Sequence, residues 1–188
     1  MNTNDYRLPE YGKDIKTVRE LLTADNIDSV SDFSGTLDDM NFIEYLRYCA
    51  VDDSTARTFI YRNQETGDAV AFVSLACSVI MSEENGSITE LAPAVLIDKF
   101  MVDERYRHKQ YSPDDSIQVF ASMVFMDILF FIEEITRNTI GAQYVVLYST
   151  PKAHNFYRDK CSMHDFDEYM RRTDDPRTDS CIPMYCLI

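Results

Sequence analysis

Residues 94–131 constrain the fold more than any other stretch, because an apolar β-rich run, a charged connection and an apolar helical pattern follow one another there. The run from Ala94 through Ile97 and Val102 to Asp103 is rich in branched and aromatic residues and reads as a strand. The connection, residues 104–112, carries Arg105, Arg107, His108 and Lys109. Ser112-Pro113-Asp114-Asp115 then predicts a helix start. Serine is a preferred N-cap, proline suits the first turn, and an acid three residues after the cap resembles a capping box. Ile117, Phe120, Val124, Ile128, Phe131 and Ile135 follow at spacings of three or four, one face of a helix. A strand that feeds a helix through a loop is a general platform for phosphate-bearing ligands, because unpaired N–H groups and the helix dipole meet there.

The charge balance bounds the partners. With 18 basic and 32 acidic residues the chain carries −14, which argues against nucleic acid, since phosphate contacts need a basic surface. The charge reads more simply as a solvating surface. Cys49, Cys77, Cys161, Cys181 and Cys186 are odd in number and include no C-x-x-C pair. The expectation is therefore reduced, cytoplasmic thiols, with no disulfide framework and no metal site. The polar N-terminus has no apolar signal core, and the most apolar run, residues 123–132, is short and broken by Asp127. No membrane span is expected.

Taken in order, residues 1–12 read as irregular, with Pro9 and Gly12 as breakers. Residues 14–24 predict a short helix burying Ile15, Val18, Leu21 and Leu22. Thr36 caps a second helix with Asp38 and Asp39 in its first turn and Met40, Ile43, Leu46 and Ala50 on its inner stripe. Residues 58–62 and 69–75 predict a hairpin across the turn at 63–68. Residues 81–90 read as a polar loop, with Pro93 opening the central strand. Beyond the long helix, residues 143–148 read as a buried strand, Ser149-Thr150-Pro151 starts a helix to about Lys160, and residues 182–188 form a last strand. The polar stretch 171–180 reads as irregular. The order is that of one mixed α/β layer.

Two strings carry a family resemblance. Lys99-Phe100-Met101-Val102-Asp103-Glu104-Arg105-Tyr106 resembles the fourth strand of the GCN5-related N-acetyltransferases (GNATs). Ala153-His154-Asn155-Phe156-Tyr157-Arg158-Asp159-Lys160 resembles that family's A-x-x-F-Y helix. Residues 33–46 are similar to the early helical region of its toxin-like branch, and the element order fits over residues 33–188. The resemblance implies a single GNAT-like α/β domain over residues 1–188, a mixed, mostly antiparallel sheet flanked by helices. It also implies acetyl-CoA as co-substrate and acetyl transfer to an amine without a covalent enzyme intermediate. Backbone groups of Phe100, Met101 and Val102 would hold the pantetheine arm. Arg107, His108, Lys109, Gln110, Tyr111 and Ser112 would hold the pyrophosphate, and Tyr157 would protonate the departing thiolate.

The family loop is normally Q/R-x-x-G-x-G/A, whereas here the connection is longer and holds no glycine. The pyrophosphate loop is thus degenerate, and the alternative reading is a GNAT-fold binding or regulatory protein without activity. Glu90, Asp98 and Asp103 are candidate general bases. The acceptor is expected to be a small-molecule or peptide amine. A third reading, a toxin that acetylates charged tRNA, meets the −14 charge as an objection. A second apolar stripe on the long helix, Val119, Met123, Met126 and Phe130, fits either burial between layers or a homodimer contact.

Overall fold

The computed structural model describes residues 11–171 and 178–188, with residues 115–117 described by their backbone alone. A 3-10 turn (Gly12–Asp14) leads into strand β1 (Thr17–Leu21), then a 3-10 turn (Ile27–Val30) and another (Leu37–Asp39) that runs into helix α1 (Met40–Tyr48). Strands β2 (Ala56–Asn63), β3 (Ala69–Glu84) and β4 (Ser87–Val102) follow as an antiparallel meander. Next come the short helix α2 (Glu104–Arg107), strands β5 (Gln110–Ser112) and β6 (Asp115–Val119), and the long helix α3 (Phe120–Asn138). The chain continues through β7 (Tyr144–Ser149), α4 (His154–Cys161), β8 (His164–Asp165), β9 (Met170–Arg171) and β10 (Ile182–Leu187).

The main sheet has the order β1-β2-β3-β4-β7-β10-β8, with β9 on the outer arm of β3, and β5–β6 form a separate pair. Every pairing is antiparallel except β4 with β7. Because side chains alternate across a strand, each face gathers its own core. On one face Tyr61, Val73, Ile97, Val102, Val145 and Leu147 pack under α3 and α4, with Phe125, Ile128 and Ile132 fully buried. On the other, Ile60, Phe72 and Met101 meet α1 and the segment before it through Phe33, Ile43 and Leu46. The expected mixed, mostly antiparallel sheet flanked by helices is what the chain forms.

Three local expectations are corrected. Residues 14–24 form a 3-10 turn and an edge strand rather than a helix. Ile15 and Leu22 are buried as expected, but Val18 and Leu21 are half-exposed. Pairing with β2 over all five residues outweighs a helical spacing that the β-branched Thr17 and Val18 support poorly. Residues 81–90 are a hairpin end, not a loop: β3 and β4 stay paired to Glu84 and Ser87, with one register shift between Ser82 and Glu83, and are joined by Asn85-Gly86, both at positive φ. That is the turn whose twist matches a two-residue hairpin. Finally, the long helix starts at Phe120 instead of near Ser112. Ser112 and Asp115 pair across a turn at Pro113-Asp114, and Ile117 lies in β6. The helix is capped by Ser122, whose hydroxyl donates to the Val119 carbonyl (2.8 Å) and accepts the Val119 N–H (3.3 Å).

The expectation for residues 1–12 falls outside the described residues up to 10, and that for 171–180 does so over 172–177. Among the described residues no helix is long and apolar enough to cross a membrane.

Candidate functional site

The parallel pair β4–β7 is only four residues long. It runs from Ala94 opposite Tyr144 to Ile97 opposite Leu147 and then stops. Beyond it β4 follows β3, while Tyr148 and Ser149 of β7 follow β10. The parting coincides with a bulge: Ser74 pairs with Lys99 and Leu75 with Ile97, which leaves Asp98 as the extra residue. From Asp98 to Val102, alternate N–H and C=O groups of β4 therefore face a gap. Phe100, Met101 and Val102 lie on this stretch of β4 beyond the parallel pairing, where the Val102 carbonyl accepts the Arg107 guanidinium at 3.4 Å.

An aromatic chain crosses the helical side of this gap. Phe100 packs edge-on against Phe125 of α3 with ring centroids 5.3 Å apart, and Phe125 packs against Tyr157 of α4, again at 5.3 Å. Phe156 lies edge-on to Tyr157 at 5.2 Å. The structure thus brings Phe100 and Tyr157, 57 positions apart, to the two ends of one three-ring contact. The Tyr157 hydroxyl has no hydrogen-bond partner among the described residues. Burial among these rings, with Cys161 alongside, pushes its phenol far above the ordinary value. Such a group is protonated at neutral pH, and the burial that keeps it so also makes it a weaker acid than an ordinary phenol.

The connection after β4 is built differently from a bare phosphate loop. Asp103 is fully buried at the end of β4. Its carboxylate accepts the Ser34 N–H (2.8 Å), the Arg105 N–H (2.9 Å) and the Arg105 guanidinium (2.8 and 3.1 Å). Arg105 also reaches Asp32 at 3.6 Å, and the bond to Asp103 raises its already high pKa. Arg107 is held at 2.8 Å by Asp39 and at 3.4 Å by Glu104. Burial pushes the Asp39 carboxyl up, but bonds from Arg107 and Thr36 outweigh it and leave the carboxyl below its usual value. The N-terminal segment is thereby clamped onto β4. At Gly35 the approach is so close that a Cβ would collide with the Met101 methyl.

The six expected pyrophosphate residues run from the end of α2 through its cap into β5. Arg107 is spent on carboxylates. His108 caps α2, and Lys109 accepts the Phe120 N–H on its carbonyl at 2.8 Å, which sets it at the N-terminus of α3. Gln110, Tyr111 and Ser112 form β5, where Gln110 pairs with Val119. Of the three candidate bases, Asp103 is consumed by its clamp and Glu90 lies exposed on the far arm of the β3–β4 hairpin. Asp98 remains at the bulge, half-buried and paired with Lys99, whose ammonium stands 4.0 Å over the Tyr45 ring. The Lys99–Tyr45 contact was not legible in the sequence, since it joins α1 to β4 across more than 50 residues.

No protein-family model matches the chain, and no curated protein does. Solved structures do match. The AtaT toxin complexed with acetyl-methionyl-tRNAfMet has a TM-score of 0.63 at 12% identity, over 92% of this chain and 95% of that one. A KacTA–DNA complex has a TM-score of 0.62 at 11% identity, over 92% and 93%. A tyrosine-to-phenylalanine mutant of AtaT bound to the C-terminus of the antitoxin AtaR and acetyl-CoA has 0.62 at 13%, over 91% and 92%. These complexes overturn the expectation of a small-molecule or peptide acceptor and the argument from charge against nucleic acid. Proteins of this fold are found with tRNA, with DNA and with a protein antitoxin. The error lay in treating net charge, a sum over the whole surface, as a statement about one local face. At such low identities the likeness concerns architecture, and on that it agrees with the parted β4–β7 pair: the chain has the GNAT fold in the form seen in the acetyltransferase toxins.

Proposed function

We propose that the chain transfers an acetyl group from acetyl-CoA to an amine carried by aminoacylated tRNA. The observation that carries the reading is the gap between β4 and β7, beside Phe100, Met101 and Val102 of β4 and joined through Phe125 to Tyr157. The neighbours solved with acetyl-CoA and with acetyl-methionyl-tRNAfMet support a donor and, as its acetylated product, an acceptor. In this reading pantetheine lies along the unpaired edge of β4. The neutral amine attacks the thioester carbonyl, strand N–H groups stabilise the oxyanion, and the collapsing intermediate expels a thiolate that Tyr157 protonates. Asp98, at the bulge, takes the proton that the substrate ammonium must lose before it attacks, and the second amine proton returns to the Tyr157 phenolate.

One observation favours a second reading, a GNAT-fold binding protein without activity. Arg105 and Arg107 are neutralised by Asp32, Asp103, Asp39 and Glu104, and a hairpin stands where a glycine loop would offer bare amides. Pyrophosphate would then rely on Lys109, His108 and the N-terminus of α3. The test is incubation with radiolabelled acetyl-CoA and a pool of charged tRNA, alongside thermal melts with acetyl-CoA. Acetylated aminoacyl-tRNA and a raised Tm are expected. No thermal shift at millimolar acetyl-CoA would sink the enzyme reading and leave the second. A shift without labelled tRNA would sink the acceptor.

A further inference from the structure

The last turns of α3 cover the sheet incompletely. Between them and β2–β4 lies a cavity of about 340 Å³. Phe59, Leu75, Val95, Ile132 and Ile135 line it, and Arg57 is its only charged wall residue. It shares no wall residue with the Phe100–Phe125–Tyr157 chain. Ile135 lies ten residues beyond Phe125, about 15 Å along the helix axis.

Arg57 differs from most arginines of this chain. Arg19, Arg62, Arg105, Arg107, Arg137, Arg158 and Arg171 each reach a carboxylate. Arg57 donates only to the carbonyls of Asp53 (3.0 Å) and Ala56 (3.2 Å) and forms no ion pair among the described residues. The neighbouring carboxylate of Asp53 is taken by the Tyr45 hydroxyl (2.9 Å), the Thr55 hydroxyl (2.6 Å) and N–H (2.8 Å), and the Ala56 N–H (3.2 Å). In a chain of net charge −14, this is a guanidinium without an ion-pair partner among the described residues, on the wall of an apolar cleft. The β2–β3 register sets Arg57 directly opposite Leu75, so the cation stands over the apolar floor.

We propose that this cleft binds a medium-chain aliphatic carboxylate, with its chain among Phe59, Leu75, Val95, Ile132 and Ile135 and its head on the Arg57 guanidinium. Charge selects the head, because a guanidinium–carboxylate bond is charge-assisted and the Asp53 carboxylate beside it is already held by Tyr45, Thr55 and Ala56. Size selects a small free molecule: the volume is at the lower end of ligand pockets, about 300–1,000 Å³, and far below what a stable protein interface covers. The proposal stands apart from acetyl transfer, since it uses neither Tyr157 nor the β4–β7 gap.

The test is isothermal titration of the full chain with sodium decanoate below its micelle concentration. Saturable one-to-one binding is expected. Arg57→Gln should weaken it roughly tenfold or more, Arg57→Lys should restore part of the loss, and decanol should bind more weakly and be indifferent to Arg57→Gln. Cys77→Phe, at an exposed position on the cavity wall, should block both ligands. Because Arg57 and Cys77 are exposed, melts of both variants should match the parent; if one fails to fold, the other carries the test. Absence of saturable decanoate binding, or full affinity in either folded variant, would overturn the proposal.

Discussion

Tyr157 is made useful by its surroundings. Phe125 and Phe156 pack against the partly buried ring, and among the described residues its hydroxyl has no hydrogen-bond partner. Tyr157→Phe keeps the ring packing and removes only the hydroxyl. In the proposed reaction turnover should fall roughly 10²-fold, with acetyl-CoA affinity and Tm nearly unchanged. Label transfer to tRNA together with melts measures this, and unchanged turnover would return the residue to a packing role. Asp103 makes the opposite prediction. Asp103→Ala leaves the Ser34 N–H without its acceptor and Arg105 with Asp32 alone, so urea unfolding should show a loss of about 1–3 kcal/mol. The two residues differ in legibility for the same reason. Tyr157 announces itself through the adjacent Phe156 in a short local motif, whereas the partner of Asp103, Ser34, is 69 positions away and no local pattern links them.

At the scale of elements, local chemistry was a good guide wherever one structure alone satisfies it. The Thr36 cap is an example: its N–H and hydroxyl both donate to Asp39 at 2.8 Å, and Ile43, Leu46 and Ala50 face inward as their spacing demands, while Met40 stays half-exposed. Ser112-Pro113-Asp114-Asp115 satisfies two structures, since proline and aspartate suit a β-turn as well as a first helical turn. The pairing of Gln110 with Val119 decides between them, and that is a tertiary fact. Asn85-Gly86 was legible and passed over within a polar stretch. Gly86 sits at φ +79° with open space around its Cα, so Gly86→Ala meets no clash and pays only the backbone cost. It should lose about 1 kcal/mol in denaturant unfolding. A loss near zero would mean that the hairpin tip is not held in this conformation.

For the whole molecule, buried acids set how stability follows pH. Burial pushes up the phenols of Tyr61 and Tyr157 and the thiol of Cys161, and takes that of Cys186 to about 11. Each folded value lies above its unfolded one, so the stabilisation is complete below about pH 9 and is lost as the pH rises and the unfolded chain sheds protons first. At the acid end, the Thr55 hydroxyl is the largest cause holding Asp53 near 2, and that contribution is present above about pH 4 and fades towards pH 2. Denaturant titrations from pH 2 to 11 should show a plateau with a steep alkaline edge; stability rising above pH 10 would contradict these burials. The short parallel β4–β7 pair also bears on how the chain reaches its fold. β2 to β4 are hairpin neighbours with small loops to close, but Ala94 meets Tyr144 only after the whole of α3 has been laid down between them. Loop closure therefore orders events, with an early meander and a late seam. Substitutions in β7 such as Val146→Ala should then hasten unfolding, while those in β2 such as Ile60→Val should slow folding. The gap that holds the candidate site is the margin of that seam, and it comes into existence in the last stage of folding.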